Sequence, residues 1–122
     1  MAHEMTKKLR FDKKTIQTIC ERDGMCYFCR MGYHQESKNL FDYQIWDIMH
    51  IVPKSSLGLG VEENGVLGCR YHHSLMDNGN QGLRDEMTGM LEQYMKDQYP
   101  GWNRQRVIYQ KYSFGVAPKG FT

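Results

Sequence analysis

Two pairs of potential metal ligands occur in the chain, each with two residues between its members: Cys26 with Cys29, and Cys69 with His72. A two-residue gap lets one turn aim both side chains at the same ion, and thiolate with imidazole is a donor set that zinc prefers. The two pairs therefore predict a structural zinc site. A redox-active Cys26/Cys29 pair and buried, unliganded cysteines are the alternatives, although no thioredoxin-like βαβ pattern accompanies the CxxC.

A second group of residues has side chains suited to hydrolysing a phosphodiester bond. A histidine with an ordinary pKa near ~6.5 can deprotonate water at neutral pH, and His50 lies on an apolar segment that can hold its ring rigidly. His73 and Asp77 are four residues apart on a predicted helix, so they share a face and can hold one Mg²⁺ or Mn²⁺ ion. Asn64 offers an amide that would orient His50 or fix its loop.

The elements that must position these side chains predict an α+β fold. Asp12 is a candidate N-cap and Asp23-Gly24 a candidate helix end, which predicts an N-terminal helix over residues 12–23. Strands are predicted over residues 41–52 and 65–69, and helices over 70–78, 83–99 and 102–112. The chain of 122 residues is expected to form one domain, with a core at about 22–79 and a C-terminal helical extension at 81–112.

Within this core, the residues from 22 to 79 resemble the HNH endonucleases of the ββα-metal class, in particular the small stand-alone versions of phages and mobile elements. The resemblance rests on CYFC, MHIVPKSSLGLGVEEN and CRYHH, which occur in the family's order. It implies a β-hairpin and a helix that grip one divalent ion, with a structural zinc knuckle beside them. It also implies that His50 is the general base, Asn64 the central asparagine and His73 a metal ligand, with DNA as the substrate.

One position departs from the family pattern. Many members have Asp or His immediately before the catalytic histidine as a metal ligand, whereas this chain has Met49. Asp47 lies on the same strand face, two residues earlier, and with Asp77 is a tentative ligand of the catalytic ion. The alternative to a nuclease is therefore a zinc-stabilised DNA-binding or assembly module with a degenerate site.

Charge and hydropathy agree with a DNA-binding protein. Both ends of the chain are basic and its centre is acidic, with a net charge of +2; the ends either grip phosphates or are solvated tails. Lys54, Arg104 and Arg106 are tentative contacts to DNA, which we expect to be double-stranded. No apolar run is long enough to span a membrane, and no secretory signal is evident, so we expect a cytoplasmic protein, in the bacterial host if phage-encoded. A homodimer or a phage packaging partner is also possible.

Overall fold

A computed structural model describes residues 2–78 and 82–110, and side chains from residue 5 onward. The chain begins with a helix, α1 (Ala2–Leu9), that the sequence patterns did not predict. The other helices and strands, in chain order, are α2 (Lys13–Asp23), α3 (Tyr27–Arg30), β1 (Trp46–His50), β2 (Gly65–Cys69), α4 (Arg70–Asn78) and α5 (Arg84–Gln98). Short 3₁₀ turns lie at Leu40–Tyr43, Lys54–Ser56, Glu62–Asn64 and Arg104–Val107.

The two strands pair antiparallel, with Trp46 opposite Cys69 and His50 opposite Gly65. β2 ends at Cys69 and α4 begins at the next residue, so the strand leads without a loop into the helix that carries His72 and His73. The prediction of a small α+β protein with an antiparallel strand pair is therefore confirmed. The first strand is shorter than predicted, since residues 40–43 form a 3₁₀ turn instead.

The N-terminal helix prediction is also confirmed at its cap. The Asp12 side chain accepts a hydrogen bond from the backbone N–H of Thr15 at 2.8 Å, and Gly24 ends α2 with a left-handed φ of 74°. The cap satisfies a backbone donor that the helix itself cannot pair. A glycine suits the helix end because a side chain is disfavoured at positive φ.

Apolar residues from every layer meet in one core. The methionine-rich stripe of α5 lies inside it, with Met87, Leu91 and Met95 fully buried, as its helical spacing predicts. The strands and α4 supply four more of its buried side chains: Met49, Val66, Cys69 and Met76. α5 therefore packs against α4, and its buried face belongs to the same core as the buried residues of the strands.

A buried ionic network fastens the sheet to its helices. Asp23, 1% exposed, accepts from the backbone N–H of Leu67 at 2.8 Å and from the hydroxyl of Tyr94 at 2.5 Å. Arg22 donates to both oxygens of Asp23 and to the backbone carbonyl of Gly65. One side-chain pair thus joins α2 to β2 and to α5.

The predicted C-terminal helix is wrong for its described part. Residues 104–107 form one 3₁₀ turn, after which Ile108 pairs with Gly58 as an isolated bridge. The backbone N–H of Tyr109 donates to Leu57. The segment is therefore held by the loop between the strands, a distant partner that local periodicity does not reveal. Residues 111–112 and 81 of the predicted extension lie outside the described residues. No helix in the described ranges has the length and apolar character needed to cross a bilayer.

Candidate metal centre and histidine cleft

The four predicted zinc ligands converge on one point. Nδ1 of His72 lies 3.6 Å from Sγ of Cys26, 3.6 Å from Sγ of Cys29 and 3.2 Å from Sγ of Cys69. The Sγ atoms of Cys29 and Cys69 are 3.8 Å apart. Tetrahedral zinc, with Zn–S near 2.3 Å and Zn–N near 2.0–2.1 Å, places two sulfurs about 3.8 Å apart and sulfur and nitrogen about 3.6 Å apart. The Cys₃His group can therefore hold a metal ion such as zinc.

Hydrogen bonds to the ligands prepare the group for a cation. Nε2 of His72 donates to the carbonyl of Tyr33 at 2.5 Å and lies 3.0 Å from that of His34. These contacts fix the proton on Nε2, so the Nδ1 lone pair faces the sulfurs. The backbone N–H groups of Cys29 and His72 donate to Sγ of Cys26 and Cys69, respectively. Both two-residue gaps thus form the same N–H···S turn.

The pKa values of the three thiols indicate that a bound cation would offset the repulsion between neighbouring thiolates. Burial opposes ionisation of Cys26, but when the metal-free His72 ring carries a second proton, on Nδ1, its hydrogen bond and those from backbone N–H groups lower the pKa of Cys26 to about 7. Burial, and then the neighbouring Cys26 thiolate, raise the pKa of Cys29 to about 12. Burial also raises the pKa of Cys69. Without a metal, one thiolate forms at neutral pH and repels a second, so metal binding must release protons. Convergence of a third thiol and an imidazole favours a metal site over a redox pair.

His50 lies at the opposite end of the strand pair from Cys69 and lines an open cleft of about 650 Å³. Its Nε2 donates to the backbone carbonyl of Leu9 at 3.0 Å, and its ring packs on Phe11 with centroids 4.3 Å apart. Burial is the main reason that the pKa of His50 lies below its usual value; the Leu9 contact opposes the shift, and the charge of Lys54 adds to it. Asp47 and His73 line the same cleft. The structure therefore brings the predicted base together with two of the predicted metal ligands.

Asn64 does not contact the His50 ring through any hydrogen bond described for it. It is fully buried, its Oδ1 accepts from the backbone N–H of Val52 at 2.8 Å, and its Nδ2 donates to the carbonyls of Val52 and Leu59 at 3.0 and 2.9 Å. These bonds cross the base of the loop between β1 and β2. Of the two predicted roles, the geometry favours fixing the loop.

His73 lies between two carboxylates. Its Nδ1 is 3.0 Å from Oδ2 of Asp47, and its Nε2 is 3.1 Å from Oδ2 of Asp77. A neutral imidazole has one N–H, so one of these contacts requires either a second proton or a cation between nitrogen and oxygen. Two neighbouring ligands at about 2.1 Å from an octahedral ion are also about 3.0 Å apart. His73 can therefore share an ion with either carboxylate.

The side chains of His73, Asp47 and Asp77 do not converge on one point. Within the described ranges, the Cys₃His group is the one set of three or more His, Cys, Asp or Glu side chains with ligand atoms within 4.8 Å of one another. Asp47 also accepts from Arg70 at 3.2 Å. Partial burial opposes its ionisation, but the hydrogen bonds from His73 and Arg70 hold the pKa of Asp47 below its usual value. Asp47 and Asp77 are thus alternative partners of His73.

The candidate DNA contacts fall on two separate surfaces. Lys54 lines the cleft with His50. Arg104 pairs with Glu92, and Arg106 donates to the carbonyl of Pro100; neither lines the cleft. Trp102, two residues before Arg104, is 4% exposed and donates from Nε1 to the carbonyl of Glu63. It is a core residue, unavailable for stacking on a base.

Sequence reasoning missed the residues that contact the His50 ring. Leu9 and Phe11 come from the N-terminal end, about forty positions away in the chain. No motif marks them, because one contributes a backbone carbonyl and the other an ordinary aromatic ring. Cys20 lines the cleft and is not part of the Cys₃His group.

Comparisons with known proteins give no assignment for this arrangement: no protein-family model, curated protein or solved structure matches the chain.

Proposed function

We propose that the protein is a metal-dependent HNH endonuclease that hydrolyses DNA phosphodiester bonds, with zinc in the Cys₃His group. The observation that carries the proposal is that one cleft contains a histidine with a fixed tautomer, His50, and a second histidine, His73, flanked by carboxylates. The resemblance of the motifs to the HNH pattern supplies the reaction class.

His50 would act as the general base. Because Nε2 donates to the Leu9 carbonyl, Nδ1 keeps its lone pair and can accept a proton from water. The resulting hydroxide would attack phosphorus in line with the P–O3′ bond, which breaks as the departing 3′ oxygen takes a proton from a water molecule. The products carry a 5′-phosphate and a 3′-hydroxyl. The depressed pKa of His50 keeps the base neutral at physiological pH.

His73 would hold the catalytic divalent ion together with Asp77 or Asp47. Such an ion would supply positive charge to offset the negative charge that develops on the scissile phosphate and on the departing 3′ oxygen. If the protein provides only one carboxylate and one imidazole to the ion, the ion could also bind phosphate oxygens and water. Mixed nitrogen and oxygen donors accept Mn²⁺ as well as Mg²⁺.

Zinc would act at a distance from the chemistry. Cys69 ends β2 and His72 lies in the first turn of α4, directly before His73. An ion bound to Cys69 and His72 fixes the junction between strand and helix, and with it the direction in which His73 points. The role assigned to zinc is therefore to hold the site in shape.

A second candidate function is a zinc-stabilised DNA-binding or assembly module whose nuclease site has decayed. Met49 favours it: at 1% exposed, this side chain is part of the core and supplies no ligand in the position where the family often has one. The intact surroundings of His50 and His73 favour the nuclease.

The deciding experiment is nicking of supercoiled plasmid by the wild type and by His50→Ala, each with Mg²⁺, Mn²⁺ or EDTA. We expect metal-dependent nicking that is lost in His50→Ala while zinc content stays the same. Lys54→Ala should weaken DNA binding and Arg104→Ala, whose guanidinium is already paired with Glu92, should weaken it less. A zinc-loaded wild type that binds DNA but does not cut it, whichever of the metal ions is added, would refute the nuclease and support the second candidate.

A further inference from the structure

Residues 8–11 form a short segment, here called the N-terminal strap, that lies on the loop between the two strands. The backbone N–H of Gly60 donates to the carbonyl of Lys8 at 2.9 Å. A Cβ on Gly60 would lie 2.1 Å from the carbonyl oxygen of Arg10, which is far inside contact distance. Backbone therefore packs directly against backbone here, and only glycine permits it.

The strap also packs on β2. A Cβ on Gly65 would lie 2.7 Å from the Phe11 ring and 2.7 Å from Cδ1 of Ile19. Leu9 is buried, although it stands at the end of the first helix. The strap thus packs closely against two glycines, Gly60 in the loop and Gly65 in β2.

The docked strap provides two of the contacts of the His50 side chain. The carbonyl of Leu9 accepts from Nε2 at 3.0 Å, and the Phe11 ring covers one face of the imidazole, tilted by 41°. A carbonyl can only accept, so this contact places the proton on Nε2. The nitrogen left with a lone pair is Nδ1, on an imidazole that also lines the cleft.

We propose that the N-terminal strap is a positioning segment of the active site: the Leu9 carbonyl selects the tautomer of His50 and Phe11 holds its ring. Its effect on cleavage rests on the proposed nuclease function, whereas its effect on the tautomer of His50 does not. The strap lies outside the strand, loop and helix that carry the motif residues. The site is then complete only when the N-terminal end is docked.

The test uses the full zinc-loaded chain. Gly60→Ala introduces the Cβ that collides with Arg10 and should displace the strap. Gly89→Ala is the matched control, because a Cβ there meets nothing within 4 Å. Phe11→Leu is a second variant that keeps an apolar side chain and uncovers the imidazole face.

The direct readout is the Nε2–H proton of His50 in a proton–nitrogen NMR spectrum, identified by its loss in His50→Gln. A bonded, partly buried N–H is protected from exchange with water. We expect this signal in the wild type and in Gly89→Ala, faster exchange in Phe11→Leu, and no signal in Gly60→Ala. Plasmid nicking by Gly60→Ala should fall roughly ten- to a hundredfold, since misplacement by about 1 Å can cost about 10²-fold.

Three results would overturn the inference. They are a wild-type His50 that carries its proton on Nδ1, a Gly60→Ala protein that retains the Nε2–H signal, and a Phe11→Leu protein with unchanged exchange. If Gly60→Ala fails to fold, the Phe11→Leu result decides. If the wild type does not cut DNA but the signals behave as expected, the strap assignment stands and the nuclease proposal alone fails.

Discussion

Replacement of Asn64 tests whether this residue serves the loop or the chemistry. Asn64→Ala removes three buried hydrogen bonds. The N–H of Val52 loses its acceptor, Oδ1, and the carbonyls of Val52 and Leu59 lose their donor, the Nδ2 amide group. A lost hydrogen bond costs about 1 kcal/mol, and more where the remaining group is buried. The three together give a loss of about 3 kcal/mol in the free energy of unfolding.

Two further variants sharpen this prediction. Asn64→Asp keeps the acceptor for Val52 but turns an oxygen toward two carbonyl oxygens, so at neutral pH we expect it to be at least as destabilising as alanine. Asn39→Ala is the control, because Asn39 is exposed and its side chain caps a 3₁₀ turn with one bond, to the N–H of Phe41. We expect it to cost about 1 kcal/mol or less.

The assay is urea unfolding of the zinc-loaded proteins, with plasmid nicking measured in parallel. The loss of about 3 kcal/mol would appear as a lower midpoint at an unchanged slope. Nicking by Asn64→Ala should fall because the loop would no longer be fixed to the end of β1, and the strap that packs on this loop would lose its position beside His50. An Asn64→Ala protein with wild-type stability and abolished nicking would refute the argument, and would place the amide in the reaction itself.

Three other predictions follow from the burial and pairing of charged and ligating groups. Cys29→Ser should release zinc and unfold the domain, because zinc binding contributes roughly 10–16 kcal/mol against a typical stability of about 5–15 kcal/mol; Cys20→Ser, outside the Cys₃His group, should keep a full equivalent of zinc by metal analysis. Asp23→Asn should cost about 3–5 kcal/mol in urea unfolding, because it leaves the Arg22 guanidinium without its buried partner; a loss below about 1 kcal/mol would contradict this. Single-turnover nicking should keep more than half of its pH 8 rate at pH ~6.5 and reach half-loss only at a lower pH, since burial lowers the pKa of His50 and so keeps the proposed base neutral to lower pH. Half-loss of the rate at or above pH 6.5, with zinc retained, would contradict that assignment.

Local signals accounted for most of the helices and strands. Asp12 and Gly24 marked the ends of α2 because a cap and a left-handed turn depend on neighbours within a few residues. The α5 stripe of Met87, Leu91 and Met95 was readable because helical spacing puts such residues on one face. The predicted final helix failed at Ile108, whose partner, Gly58, lies fifty positions earlier.

The sequence by itself determined the donor set of the metal centre. Two-residue gaps in Cys26–Cys29 and Cys69–His72 fix the geometry within each pair, and the softness of sulfur and imidazole selects the class of ion. That the two pairs converge is a coarser inference that the structure confirms. The members of the Cys₃His group were predictable because each half of the group is a single turn of chain.

The surroundings of His50 and His73 were decided only by the tertiary structure. The Leu9 carbonyl beside His50, the Asp47 carboxylate beside His73 and the burial of Asn64 all depend on contacts between different segments of the chain, whereas Asp77 is one helical turn from His73 and was predicted. A backbone carbonyl carries no side-chain signature, so no sequence pattern can name it as the partner of a histidine. Pairing of this kind is set by how the N-terminal strap, the sheet and α4 pack together, and packing is a property of the whole fold.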